Sequence, residues 1–384
     1  MSKKLVTVLG STGSIGKQAL DVIRYGSDRF RLFGIAANHN VEMLIKQATI
    51  WHPLVVACAE QLDASDFPEG TELLCGENAA TLLAAMPEAD IVVNGISGMD
   101  ALAPLLASLK AGKRVALANK ESIVCGHDLV DAMLEDSSGE ILPVDSEQSA
   151  IFQCLSGGRY EEVEKLWLTA SGGPFWQLER EDLKHVTVKD ALQHPTWSMG
   201  TKITIDSATL FNKGLEVMEA SYLFHMPVDR IDVLIHPQSI VHSMVEFKDG
   251  TIMANLSCPD MRLPIQYAMT FPDRVASPAR RLNLATAPDL TFHLADRSKY
   301  AGIRLAYYAW YEGGTMPVVY HAANEAAVEL FLREQITFTD IADIVDYCMN
   351  KMEARPINDV ADITAAAGEA RTRAAHYFHK HLGH

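Results

Sequence analysis

No stretch of the chain approaches the ~18 unbroken apolar residues that a membrane span needs. The apolar run near the N-terminus, Leu5 to Leu9, leads straight into glycine and does not read as a signal peptide. Positive charge is also short. Thirty-three Lys and Arg stand against 49 Asp and Glu, a net charge of −16, which argues against nonspecific nucleic-acid binding. The six cysteines (Cys58, Cys75, Cys125, Cys154, Cys258, Cys348) are scattered without a CxxC pair. That spacing argues against a zinc site or a disulfide framework and fits reduced thiols in a cytoplasm. Internal repeats and low-complexity tracts are missing too. What remains is an ordinary globular composition over 384 residues, 48% apolar and 21% charged, long enough for two or three domains. The lack of a transit peptide points to a bacterial cytoplasm.

Leu5–Leu9 has the pattern of a buried strand, followed by Gly10-Ser11-Thr12-Gly13-Ser14-Ile15-Gly16, a helical stretch from Lys17 to Tyr25 and a second strand over Arg31–Ala37. Strand, glycine turn, helix, strand is the setting in which backbone N–H groups at a helix N-terminus take a dinucleotide pyrophosphate. The spacing is GxxGxxG rather than GxGxxG. After the second strand comes Ala36-Ala37-Asn38-His39-Asn40, with no acid until Glu42. An acid there would bind the ribose 2′-hydroxyl of NAD; its absence favours NADP(H).

Further strands are expected at Leu54–Cys58, Ile91–Asn94 and Arg114–Ala118. Asn119, Lys120 and Glu121 follow the last of these, where an open parallel sheet binds ligands. Ile141–Val144 then leads into Asp145-Ser146-Glu147. If strand geometry persists, Asp145 and Glu147 point the same way. Oxygen-only ligands suit Mg²⁺ or Mn²⁺ rather than zinc, although Asp145 or Ser146 could equally cap the helix Ser146–Cys154. Leu166–Ala170 reads as a strand ending in Ser171-Gly172-Gly173.

The densest chemistry lies between His194 and Glu219. An exposed-looking loop, 194–200, precedes the β-branched run Ile203-Thr204-Ile205, and Asp206-Ser207 then reads as a helix N-cap. On the helix that follows, Asn212, Lys213 and Glu216 share a face. Amide, ammonium and hydroxyl suit a phosphate, and the carboxylate suits a metal. An N-cap with a plain surface Lys–Glu pair would show the same pattern. Val233–Ile235 is a strand, and Val241–Phe247 with Ile252–Leu256 forms a hairpin across Asp249-Gly250. Residues 271–294 lack periodicity. Tyr300–Tyr311, Ala322–Glu334, Phe338–Lys351 and Ile357–Leu382 are helix-like, with no catalytic constellation among them.

Eight segments in order carry a resemblance: GSTGSIG (10–16), ANKES (118–122), PVDSEQSA (143–150), SGGPF (171–175), HPTWSMG (194–200), DSATLFNKGLEVMEA (206–220), HPQSIVHSMVEF (236–247) and PDMR (259–262). Over essentially its whole length the chain resembles the 1-deoxy-D-xylulose 5-phosphate reductoisomerases. The resemblance implies a Rossmann-like NADPH domain (1–145), an α+β catalytic and metal-binding domain (146–270), a connecting segment (271–295) and a C-terminal helical domain (296–384). It implies metal-dependent retro-aldol and aldol rearrangement of 1-deoxy-D-xylulose 5-phosphate, then reduction to 2-C-methyl-D-erythritol 4-phosphate, in non-mevalonate isoprenoid synthesis. Carried over by position, it gives cofactor contacts to Gly10, Thr12, Gly13, Ser14, Ile15, Asn38, His39, Asn40, Asn119, Glu121, Gly200 and Met261. Asp145, Glu147 and Glu216 match the ligands of a Mg²⁺ or Mn²⁺ ion. Ser171, Ser207, Asn212 and Lys213 match the phosphate grip, while Lys120, Ser146, His194 and His242 fall on the substrate side. Trp197 and Met199 match a flap over the substrate. His194 either orients the substrate or transfers a proton.

Asn38-His39 departs from the family pattern, in which glycine and then a basic or small polar residue are expected. A histidine there predicts NADPH affinity that falls as pH rises through its titration. The family also implies a homodimer. Two alternatives are a different NADP oxidoreductase, for example a semialdehyde dehydrogenase with Cys154 as nucleophile, and a non-catalytic NADP-binding sensor module.

Overall fold

The structure is a computed structural model describing residues 2–193 and 200–382. The chain divides into two units. The first comprises residues 1–123, 129–149 and 260–280, the second residues 124–128, 150–259 and 281–384.

The first unit is built on seven strands: β1 Lys4–Leu9, β2 Phe30–Ala37, β3 Val55–Cys58, β4 Glu72–Cys75, β5 Ile91–Asn94, β6 Arg114–Leu117 and β7 Glu140–Pro143. All pair in parallel, in the order β4-β3-β2-β1-β5-β6-β7. The central strands are apolar on both faces (Val6, Val8, Ile35, Val56, Val92 and Val115 are all buried), as a parallel sheet covered on both sides requires. Leu9, Phe33, Val55 and Val92 pack with Leu83 and Ala84 of the helix Ala79–Ala85. The strand order reverses beside β1, which pairs with β2 on one side and β5 on the other, the switch point at which such sheets take ligands.

The second unit holds a mixed five-stranded sheet of β8 Val163–Ala170, β9 Ile231–Ile235, β10 Val241–Phe247, β11 Ile252–Leu256 and β12 His293–Leu294. Its order is β11-β10-β8-β9-β12, with β8 and β9 parallel and the other pairs antiparallel. The helix Phe211–Leu223 covers it, and Val217 and Ala220 join Leu166, Leu168, Val233 and Val245 in one core. The expected hairpin is present, with Gly250 at φ +84° in its turn. Four long helices follow: Ala301–Glu312, Met316–Leu332, Asp340–Lys351 and Val360–Tyr377. The expected α/β class with a helical C-terminal region is therefore the observed one.

Two sequence expectations need correction. The β-branched run Ile203–Ile205 lies inside the helix Thr201–Thr209, where Thr204 and Ile205 are buried. Asp206 and Ser207 are consequently within that helix rather than at its start. The break before the next helix falls at Leu210, whose backbone is left-handed (φ +58°). Finally, strand geometry does not persist through residues 145–147, because β7 stops at Pro143 and Glu147 stands in the first turn of the helix Ser146–Cys154.

Candidate active site

At the switch point the chain leaves β1 through Gly10, at φ +71°. A Cβ there would stand 2.7 Å from the carbonyl oxygen of Gly95, just past β5, so the turn has room only for glycine. Ser11 is buried and doubly tied to Gln47: its Oγ lies 2.7 Å from Gln47 Oε1, and its carbonyl accepts from Gln47 Nε2 at 2.8 Å. The helix Ser14–Tyr25 then starts from an extended Gly13, with no side-chain cap and no acid in its first turn. Thr12, Gly13, Ser14 and Ile15 therefore sit at a helix N-terminus left to backbone donors, as an anion site requires.

The Asn38–Asn40 corner lies at the C-terminal end of β2. Asn40 caps the helix Val41–Trp51 by accepting from Met43 N at 3.2 Å, and Cys58 Sγ donates to Asn38 O at 3.3 Å. His39 is exposed, with Nδ1 3.4 Å from Glu60 Oε1. No acid stands at 38–40 directly after β2, but Glu60 arrives from beyond β3, and reading one strand at a time could not have found it.

Beyond β6, Asn119 caps the helix Lys120–Glu135 by accepting from Ser122 N at 2.7 Å; its Nδ2 donates to Gly98 O and to Glu121 Oε2, each at 2.9 Å. Lys120 is nearly buried, its Nζ 2.5 Å from Asp145 Oδ2. Burial pushes the Asp145 carboxyl above its ordinary range; Lys120 pulls it back and Glu147 raises it again. Ser146 Oγ donates to Glu147 Oε2 at 2.5 Å. Met261 precedes the helix Arg262–Thr270, which packs on Ser14–Tyr25, and Arg262 makes a 2.6 Å pair with Asp260.

In the second unit Glu216 is 2% exposed and accepts from Asn212 Nδ2 at 2.5 Å and from Lys213 Nζ. The shared face read from the sequence is real, but it is buried rather than a surface pair. Gly173 (φ +64°) brings the Ser171 loop against the helix bearing Ser207, where a Cβ would meet Ala208 Cα at 2.9 Å. That loop is fixed further on by Lys299, which donates to the carbonyls of Phe175, Trp176 and Leu178 at 2.8, 3.0 and 2.5 Å. Nothing local in the sequence marks Lys299 for this task. His242, on β10, has Nε2 2.8 Å from Ser257 Oγ. Gly200 caps the helix Thr201–Thr209. His194, Trp197 and Met199 lie outside the described residues. Cys154 packs in the apolar core of the second unit, a poor setting for a nucleophile.

Of the three carboxylates expected to hold a cation, Asp145 and Glu147 belong to the first unit and Glu216 to the second. Asp145 and Glu147 raise one another's cost of ionisation unless a cation or donors intervene. An all-oxygen set fits a hard divalent ion such as Mg²⁺ or Mn²⁺.

Fold and residues together define a class: a Rossmann-like α/β protein whose carboxylates offer oxygen-only ligands of the kind that suit a hard divalent cation. Residues 6–127 match the family described as 1-deoxy-D-xylulose 5-phosphate reductoisomerase. Residues 141–224 and 256–373 match two descriptions of that family's C-terminal domain. A protein of this name from Prosthecochloris aestuarii is 47% identical over 97% of this chain and 99% of its own. One from Thermosynechococcus vestitus is 47% identical over 96% and 91%. A solved reductoisomerase from Zymomonas mobilis in complex with NADPH superposes with a TM-score of 0.92 at 38% identity, covering 99% of this chain and all of that one. Another, in complex with NADPH, fosmidomycin and magnesium, has the same TM-score at 36% identity and the same coverage. The chain belongs to the 1-deoxy-D-xylulose 5-phosphate reductoisomerase family.

Proposed function

We propose that the chain rearranges 1-deoxy-D-xylulose 5-phosphate and reduces the product to 2-C-methyl-D-erythritol 4-phosphate, using NADPH and a divalent cation, Mg²⁺ or Mn²⁺. Asp145 and Glu147 beside Lys120 in the first unit, with the buried Glu216 in the second, carry this reading, because a plain NADP-binding module has no use for such carboxylates. A cation held there would polarise neighbouring carbonyl and hydroxyl oxygens of the substrate.

The chain's own residues do the rest. The turn from Gly10 to Ile15 holds the cofactor pyrophosphate on backbone donors, and Asn119, Glu121, Met261 and Gly200 make further cofactor contacts. Asn38, His39 and Asn40 take the 2′-phosphate end. Lys120 and Ser146, already donors to metal-site carboxylates, orient the substrate's oxygens with His194 and His242. Ser171, Ser207, Asn212 and Lys213 bind its phosphate, a cationic and hydroxyl pocket that works against a net charge of −16. Trp197 and Met199 close the loop and keep water out. In functional terms residues 1–145 bind cofactor, 146–270 bind metal and substrate, 271–295 connect, and 296–384 support.

The assembly we propose is a homodimer. β11 is an edge strand whose Ile252, Met253 and Leu256 are 50%, 41% and 37% exposed, an edge that soluble proteins ordinarily cover. Met253→Lys should yield a monomer by sedimentation; an unchanged dimer would place the contact elsewhere. Among the described residues no helix is long and apolar enough to cross a membrane. Among the described residues no cysteine forms a disulfide, in keeping with the reducing cytoplasm we propose.

The test is loss of NADPH on adding the sugar phosphate, with and without Mg²⁺, together with identification of the product. Metal-dependent oxidation yielding the branched tetritol phosphate supports the assignment. NADPH binding without turnover in metal-loaded protein overturns it in favour of a sensor module.

A further inference from the structure

The helical tail carries no catalytic motif, yet one of its helices touches both sides of the break that separates Ser207 from Asn212 and Lys213. Tyr320 and Asn324, four residues apart on Met316–Leu332, share a face. Tyr320 is fully buried, and its hydroxyl lies 3.2 Å from the carbonyl oxygen of Phe211 and 3.0 Å from that of Gly302. Phe211 is the first residue after the left-handed Leu210, and its ring lies against that of Tyr320 at 5.1 Å between centroids. On the other side of Leu210, Asn324 Nδ2 donates to Asp206 Oδ1 at 2.7 Å. Asp206 is 3% exposed, and its second oxygen accepts from Lys202 Nζ at 2.7 Å. Lys202 is also 3.9 Å from Glu325, which pairs with Arg371 at 2.5 Å. Gly214 makes room for this clamp: a Cβ there would collide with the Tyr320 hydroxyl.

We propose that Tyr320 and Asn324 are positioning residues for phosphate binding, clamping the Leu210 break so that Ser207 on one helix and Asn212 and Lys213 on the next face one anion. Neither touches the ligand. They act through Asp206, which adjoins Ser207, and through Phe211, which adjoins Asn212. A left-handed leucine is intrinsically unfavourable, so the angle between the two short helices needs an outside constraint. This inference rests on the phosphate-grip assignment above.

The experiment compares the full chain with Asn324→Ala, Tyr320→Phe and a control, Arg355→Ala. The control removes an exposed ion pair to Glu369 elsewhere in the bundle. Calorimetric titration with inorganic phosphate is the first readout, amide hydrogen exchange over residues 203–214 the second, and the KM-against-kcat split for the sugar phosphate the third. Asn324→Ala should weaken phosphate binding by about tenfold and Tyr320→Phe by about fivefold, the range for a lost hydrogen bond. Exchange should quicken at 203–214, and KM should rise more than kcat falls. The control should match the unaltered chain in all three. Unchanged phosphate affinity in both clamp variants, an equal loss in the control, or no phosphate binding by the unaltered chain would overturn the proposal. If Asn324→Ala fails to fold, Tyr320→Phe decides alone, since it keeps the ring. Phosphate binding and exchange need no turnover. A chain that grips phosphate through the clamp but leaves the sugar phosphate unreacted would sink the proposed activity and leave the clamp standing.

Discussion

The two regions proposed to bind anions are built from opposite materials. The turn at Gly10–Gly16 offers backbone N–H groups at a helix start, with no charged side chain between Gly10 and Gly16. The segment from Ser207 to Glu216 offers side chains, including a lysine that is 4% exposed and a glutamate that is 2% exposed. A backbone site needs only the right dihedral angles and a close neighbour, which the glycines and the Ser11–Gln47 pair supply. A side-chain site must bury charge, and buried charge is costly unless every member is paired. The second region therefore depends on residues far along the chain, such as Asn324 on Asp206, and the first does not.

That contrast can be broken at either end, and the largest effect is expected at the turn. Gly10→Ala should abolish measurable NADPH binding by fluorescence titration, because it combines φ +71° with a 2.7 Å clash against the Gly95 carbonyl. Near-normal affinity would mean the backbone site is more plastic than its packing indicates. Next comes Glu216→Gln, which keeps the shape and removes one anionic ligand. The Mg²⁺ concentration for half-maximal activity should rise at least about tenfold, with the NADPH dissociation constant unmoved. An unchanged metal requirement would take Glu216 out of the metal site.

A smaller effect concerns His321, 1% exposed, with neither ring nitrogen hydrogen-bonded among the described residues. Glu325 stands 3.4 Å from its Nε2, but burial, with Lys202 and Arg371 nearby, holds its pKa well below 6.5. Above about pH 6.5 the ring is neutral folded or unfolded, and the folded state loses nothing. Below it the unfolded chain takes up a proton that the folded chain refuses, so stability falls with a slope approaching ~1.4 kcal/mol per pH unit. His321→Asn should flatten the acid limb of a plot of Tm against pH. Parallel acid limbs would show that other groups set it.

The smallest effect belongs to His39. Its exposed pair with Glu60 contributes little, so His39→Ala should weaken NADPH by only a few-fold. An unchanged dissociation constant would move the 2′-phosphate contact off this residue.

The glycine turn was readable because each of its determinants is local: an apolar run, glycines at fixed spacing, then a helix without a capping acid. The helix Ser146–Cys154 was readable for the same reason, to the residue at both ends. Ile203-Thr204-Ile205 misled because β-branched residues resist helix by only a few tenths of a kcal/mol each. Burial of Thr204 and Ile205 outweighs that preference. β4 escaped notice because Glu72–Cys75 is four residues long and only partly buried. The helix Met316–Leu332 begins six residues before the expected Ala322, since Pro317 sits in its first turn, where proline is tolerated. The contact between Asn324 and Asp206 joins residues 118 apart, and no periodicity spans that distance.

Leu210 holds a backbone conformation that glycine would adopt freely, yet its side chain is 2% exposed and lies in the core beneath the five-stranded sheet. The position is caught between two demands that no single residue satisfies. Glycine would relax the backbone but leave a void of leucine size, and a β-branched residue would fill the void while finding the left-handed turn harder still. A sequence drifting under selection has almost nowhere to go there. The bend between the two helices should accordingly outlast much of the surface around it.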